Sequence, residues 1–207
     1  MNRETVLAEA LDLLDEVGLD AVSTRQLAKR LGVEQPSLYW HFSNKKELLA
    51  AMAEAAMAPH ATAPLPTPAD DWRTWFLDNT RSFRRTLLIR RDGARLHAGS
   101  SPGVTDLDRV AHKLAFLVAS GLPERDAQMA MLASGRYTIG SVLEEQAELA
   151  LGSDAERPAG LPPIDHESAF EAGLALILGG LEQHAPKGRA PGRPTRRSLN
   201  DRSGKGG

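Results

Sequence analysis

The stretch Ser23–Phe42, STRQLAKRLGVEQPSLYWHF, leaves few choices for how the chain folds. It reads as two short helices joined by a tight turn. Ser23 and Gln26 stand in capping-box spacing, so Ser23 starts a helix whose first exposed side chains are Thr24 and Arg25. Leu27, Ala28 and Leu31 give that helix an apolar face, and Gly32 permits the bend after it. Glu34 and Gln35 open a second helix, where Pro36 is tolerated because a first turn has N–H groups to spare. Leu38 points inward. Gln35, Ser37, Tyr39, Trp40 and His41 remain on or near the outer face. Amide, hydroxyl, aromatic and imidazole groups with few carboxylates are the composition of a helix that touches DNA.

The flanks agree. Residues 4–17 predict an amphipathic helix with Val6, Leu7, Ala10, Leu11, Leu14 and Val17 on its apolar side, stopped by Gly18. Asn44 and Glu47 repeat the capping-box spacing. Lys45 and Lys46 follow Asn44, where cations oppose the helix dipole. A DNA phosphate lying across that helix start resolves the conflict.

The run TRQLAKRLGVEQP followed by SLYWHFSNKKELL resembles the DNA-binding domain of the tetracycline repressor (TetR) family. The resemblance implies a helix-turn-helix that reads double-stranded operator DNA. It assigns Arg25 to a guanine and Gln35 to an adenine, in keeping with the usual bidentate pairings. It places Pro36 and Tyr39 against bases or thymine methyls. Thr24, Ser37, Trp40, His41 and Lys45 fall on phosphates and set register.

Composition narrows the remaining classes. No apolar run in the 207 residues approaches the ~18 that a membrane span needs. The N-terminus is an amphipathic helix and not a signal peptide. The absence of cysteine excludes disulfides and thiolate metal sites and fits a cytoplasmic location. The net charge of −2 is unevenly spread: residues 184–207 carry seven Lys/Arg and one Asp, a net +6 that leaves −8 for the rest. An acidic body confines DNA contact to a local basic spot, Arg25, Lys29, Arg30, Lys45 and Lys46.

Strand signals are nearly absent and helical periods dominate, so the expected fold is all-α. A three-helix DNA-binding domain over residues 1–46 precedes a larger ligand-binding and dimerisation domain over 47–183. A disordered basic tail, 184–207, follows. Residues 58–70 read as a connector. Helices are expected from Asp71 to about Ile89, near 93–98, over 106–120, from Glu124 to about Leu151, and from His166 to about Gln183, with 152–165 a loop. The helices 124–151 and 166–183 carry Ala130, Ala133, Ser134, Gly135, Gly140 and Ser141, and Ala169, Gly173, Ala175, Gly179 and Gly180. Interior glycines cost about 1 kcal/mol each against alanine, which close helix approach offsets. They pack either within one chain or as a two-fold four-helix homodimer interface.

Further along, NTRSFRRTLL (79–88), RDGARLHAGSSP (91–102) and YTIGSVLEEQ (137–146) resemble the C-terminal domain of the tetracycline repressor subgroup. That resemblance implies a small-molecule inducer, a tetracycline–Mg²⁺ chelate in the subgroup. Asn79 and Phe83 would lie along it and His97 would be the one protein ligand to the metal. Ser100 stands where threonine is usual. Glu144 of the partner subunit would hold a metal-bound water. No cofactor is intrinsic; magnesium would arrive with the drug, because one imidazole makes a poor site for the free ion. Three positions depart from the pattern. Ala61 replaces a drug-contacting histidine, with His60 one residue away; Lys113 replaces a glutamine; and only 152–165 stands in place of a helix over the pocket. A different polycyclic or apolar effector without metal is the competing reading, and a ligand-independent DNA-binding protein the third. An enzyme is not expected: Gly99-Ser100-Ser101-Pro102-Gly103 has the spacing of a nucleophile elbow, but Pro102 has no N–H for an oxyanion.

Overall fold

The computed structural model describes residues 2–100, 104–151 and 164–185, and these are helical with no strand. Eight α-helices run in order: α1 Arg3–Val17, α2 Thr24–Leu31, α3 Lys45–Ala61, α4 Trp72–Leu88, α5 Gly93–Ala98, α6 Val104–Ala119, α7 Glu124–Leu151 and α8 His166–Glu182. The expected loop 152–165 and the tail lie mostly outside the described residues.

Local chemistry sets the helix ends. Asn2, Ser23, Asn44, Asp71 and Asp165 each cap a helix by accepting a hydrogen bond from a backbone N–H in its first turn. Gly18 and Gly32 close α1 and α2 at φ of 78° and 67°, a region that glycine enters without a Cβ penalty. Two boundaries differ from the sequence reading. Gln35–Trp40 is a tight 3₁₀ helix rather than an α-helix. Its backbone bonds run i→i−3, from the Ser37 N–H to Glu34 and from the His41 N–H to Leu38. In addition, α3 runs through Pro59 to Ala61, because a proline in the last turn removes only one bond of an already established helix.

Val6, Ala10, Leu14, Val22, Leu27, Leu38, Leu48 and Met52 form the buried core of the N-terminal head. The face of α1 is rotated slightly from the expected one: Leu13 is buried, while Leu7 and Val17 lie at the edge. The division at 46/47 falls in the first turn of α3, whose residues Leu48 to Ala53 complete the head core. Behind the head, Trp72 and Phe76 of α4, Phe116 and Leu117 of α6, Ala127 of α7, and Phe170 and Leu174 of α8 form the core of the body.

Head and body are joined by charge. Asp15 accepts from the Arg90 guanidinium at 2.6 Å and from the Arg91 backbone N–H at 2.8 Å. Asp92 returns the contact by accepting from the Leu19 N–H at 2.8 Å. Arg95 bridges to Asp20 at 2.9 Å. Gly93 lets α5 reach this junction: a Cβ there would sit 2.1 Å from the Leu87 carbonyl oxygen.

Candidate nucleic-acid interface and effector cluster

The head presents one continuous polar and aromatic face. Ser23 accepts from the Gln26 N–H at 3.2 Å, which sets Thr24 and Arg25 at the outer end of α2. Leu38, 2% exposed, anchors the 3₁₀ helix. Its anchoring turns Pro36, Tyr39 and Trp40 outward. The Gln35 amide donates to Thr24 Oγ1 at 2.9 Å and approaches Tyr39 Oη at 3.5 Å, so three expected contact residues share one hydrogen-bonded patch. Trp40 is 90% exposed, which separates a contact side chain from core packing. Ser37 and His41 are half-buried and Arg25 is exposed. Lys45 and Lys46 stand exposed at the start of α3. Asn44 caps α3 by accepting from the Glu47 N–H at 2.9 Å, and Glu47 reaches back past the cap residue to accept from the Ser43 N–H at 2.7 Å. The Ser43 bonds hold the Glu47 carboxyl below the ordinary carboxylate range.

One member of the expected basic spot belongs elsewhere. Arg30 is bound by Glu9 and Glu16, each at 2.7 Å, and staples α2 to α1. Those carboxylates raise its pKa and occupy its guanidinium. Arg3, which the sequence reading did not single out, holds its guanidinium 4.9 Å from the centre of the Phe42 ring.

In the body, four of the expected ligand residues meet. His60, near the end of α3, sits 5.4 Å ring to ring from Phe83 of α4. Phe83 meets the His97 ring of α5 edge-on at 5.2 Å. Lys113 of α6, 7% exposed, places Nζ 3.3 Å from His60 Nε2. Asn79 is half-buried one helical turn before Phe83, on the same face of α4. Ser100 follows α5, and its hydroxyl donates to the His97 carbonyl at 2.7 Å.

The protonation of His60 follows from its surroundings. Burial first, then the charges of Lys113 and Arg109 and the His97 ring, push its pKa down to about 3. The ring is therefore neutral near pH 7. Its Nε2 accepts from the Lys113 ammonium, so the proton sits on Nδ1 and is donated to Ser82 Oγ at 3.2 Å. Ser82 and Arg109 were not singled out by sequence. Their part in the cluster depends on how α4 and α6 face α3.

Among the described residues no three His, Asp or Glu side chains converge on one point. One imidazole, with a buried ammonium in the same cluster, suits a hard dication only when a ligand brings the oxygens. Glu144, the other residue expected at a metal, is exposed on α7.

Exposed apolar side chains also lie on α6 (Leu107, Val110 and Val118), on α7 and on α8. Met129 (50%), Leu132 (48%) and Leu176 (80%) are uncovered. The small residues divide into two sets. Ala130 and Ser134 are buried, and Gly173 is filled by Tyr137, whose hydroxyl oxygen would lie 2.1 Å from a Cβ. Around Gly135, Gly140, Gly179 and Gly180 a Cβ would meet nothing within 4 Å.

Comparison with known proteins places both halves. Residues 6–52 match the family described as "Bacterial regulatory proteins, tetR family", and residues 63–164 match "Tetracyclin repressor-like, C-terminal domain". The tetracycline repressor protein class A from transposon 1721 of Escherichia coli is 45% identical over 194 residues, 86% of this chain and 88% of that protein. A Tetr-family transcriptional regulator from Streptomyces coelicolor is 70% identical at a TM-score of 0.69, covering 88% of this chain and 99% of its own. A class A TetR solved with 5a,6-anhydrotetracycline and magnesium is 43% identical at a TM-score of 0.75, covering 87% and 97%.

Proposed function

We propose a mechanism from one premise: the chain belongs to the tetR family of bacterial regulatory proteins and is a DNA-binding transcriptional repressor of that family. Two heads of a homodimer enter successive major grooves of a palindromic operator. Arg25 and Gln35 read bases, with Pro36 and Tyr39 packed against them. Thr24, Ser37, Trp40, His41 and Lys45 hold phosphates. The observation that carries this reading is the exposed face on which Gln35, Thr24 and Tyr39 are already ordered toward one another, because donors held in place before contact lose little freedom on binding. The dimer forms through the outward faces of α7 and α8, where four glycines leave room for a close neighbour.

An inducer with a planar ring system lies along Asn79 and Phe83 and reaches His60, His97, Ser100 and Lys113. It releases DNA by binding more tightly to the form whose heads do not fit the operator. The α3 helix carries both head core and His60, so a shift at the cluster is passed directly to the head.

The test uses duplexes selected from random sequence by the protein itself. Gln35→Ala weakens binding to the selected duplex by about 1–3 kcal/mol and leaves random DNA unchanged, while Lys45→Ala weakens both alike. Equal losses on both duplexes for Gln35→Ala would overturn the base-reading role.

A second, narrower reading makes the inducer a tetracycline–Mg²⁺ chelate. It is favoured by the relative solved with anhydrotetracycline and magnesium and by the contact of Phe83 with His97. In it His97 holds the ion and Glu144 of the partner subunit holds its water. Tetracycline fluorescence is titrated with Mg²⁺ and then with EDTA. Binding that EDTA abolishes supports the chelate. Binding indifferent to EDTA, or none, gives the cluster to a metal-free effector.

A further inference from the structure

Arg3 opens α1, where a cation gains nothing from the helix dipole. Its side chain is exposed, yet the guanidinium is held over the Phe42 ring at 4.9 Å. Phe42 is 4% exposed, so its ring is a fixed platform that joins the 3₁₀ helix to α3. Phe42 leads along the chain directly into Ser43, Asn44 and the exposed Lys45 and Lys46. The Arg3 charge is felt at Glu47, whose carboxylate is itself committed to the Ser43 N–H. Arg30, the cation that sequence had placed on this face, is spent on Glu9 and Glu16.

We infer that Arg3 is a phosphate-contacting residue of the DNA interface, positioned by Phe42 so that it extends the Lys45–Lys46 phosphate contact to the N-terminus of α1. A guanidinium stacked on an aromatic face keeps its N–H edge free to fork onto a phosphate. Fixing the side chain on Phe42 removes in advance the rotamer freedom that a long exposed arginine loses on binding. The contact is to the backbone and carries no base preference. The inference rests on the DNA-binding reading and adds a residue to it.

The experiment measures the salt dependence of binding for the full chain, on the selected duplex and on a mixed-sequence duplex. Three proteins are compared: wild type, Arg3→Met and Arg3→Lys. Methionine keeps an apolar cover on Phe42 and removes the charge; lysine keeps the charge. The expected result is a plot of log affinity against log salt that is shallower for Arg3→Met by roughly 0.9 for each phosphate lost, one per head, on both duplexes. Arg3→Lys retains most of the slope. A slope unchanged in Arg3→Met, whether or not its affinity or thermal stability falls, overturns the inference and makes Arg3 a cover for Phe42. Failure of the wild type to bind either duplex overturns the DNA-binding reading itself, and the inference with it.

Discussion

Gln35 and His60 show how one hydrogen bond fixes what a side chain offers. By donating to Thr24, Gln35 keeps its carboxamide plane oriented on the outer face. Burial, and then the charges of Lys113 and Arg109, keep the His60 ring neutral, and accepting from Lys113 at Nε2 leaves its proton on Nδ1. The second case has a pH signature. The His60 pKa is about 3 in the folded chain against 6.5 for the free side chain. A depressed value means the unfolded chain takes up a proton that the folded chain refuses. The stabilising contribution is therefore complete above pH 6.5 and is lost progressively as pH falls toward 3. Replacing His60 with Gln removes this contribution. Denaturant unfolding of His60→Gln should show a shallower loss of stability between about pH 6.5 and pH 4.5, the difference approaching ~1.4 kcal/mol per pH unit. An identical slope in both proteins would show the ring to be solvated. Gly93 is a residue-scale constraint of another kind. A Cβ 2.1 Å from the Leu87 carbonyl oxygen cannot be accepted without moving backbone. Gly93→Ala should cost about 1–3 kcal/mol, read from the denaturation midpoint.

At the scale of elements, α4 packs against α3, α5, α7 and α8. Its Arg84, 5% exposed, reaches Glu145 of α7 at 2.7 Å and Glu167 of α8, with the Phe170 ring 5.0 Å beneath. Arg81 adds a two-pronged contact to Glu171 at 2.6 and 2.8 Å. A planar fork that meets carboxylates from two helices fixes the rotation of α4, and with it the direction in which Asn79 and Phe83 face. Around Gly135, Gly140, Gly179 and Gly180 of α7 and α8, among the described residues, a Cβ would meet nothing within 4 Å. Leu176 at 80% exposure contributes little to the fold of one protomer; in the proposed dimer a second copy covers it. Leu176→Glu should convert a dimer to a monomer in sedimentation while its helical circular dichroism and melting at high protein concentration change only through lost association. A dimer that persists unaltered would exclude this face as the interface.

For the whole molecule, the sequence was most legible where the cause is local. Helix limits at 72–88, 93–98, 124–151 and 166–182 follow from caps and glycines that act within a few residues, and they fall within two residues of expectation. The order of polar and apolar positions in Ser23–Phe42 distinguished the exposed side chains from the buried Leu27, Ala28 and Leu38, because a short helix has only two sides. The 3₁₀ geometry of Gln35–Trp40 escaped because a six-residue segment satisfies either period. The basic spot was misjudged at Arg30 because counting charges along a chain does not reveal which carboxylates fold against them. The small residues of α7 and α8 could not be divided by sequence into those that face Tyr137 and those that face open space.

The chain by itself thus determined an all-α repressor with a helix-turn-helix head: caps, turns and amphipathic faces are set by neighbours in sequence. Only the tertiary structure decided which distant groups share an environment. It joined His60 to Lys113, Phe83 to His97 and Arg3 to Phe42, and it paired Arg30 with Glu9 and Glu16. The physical reason is that charge state, burial and reach depend on distances between helices. Those distances are fixed by packing across the core, which no local pattern of residues records.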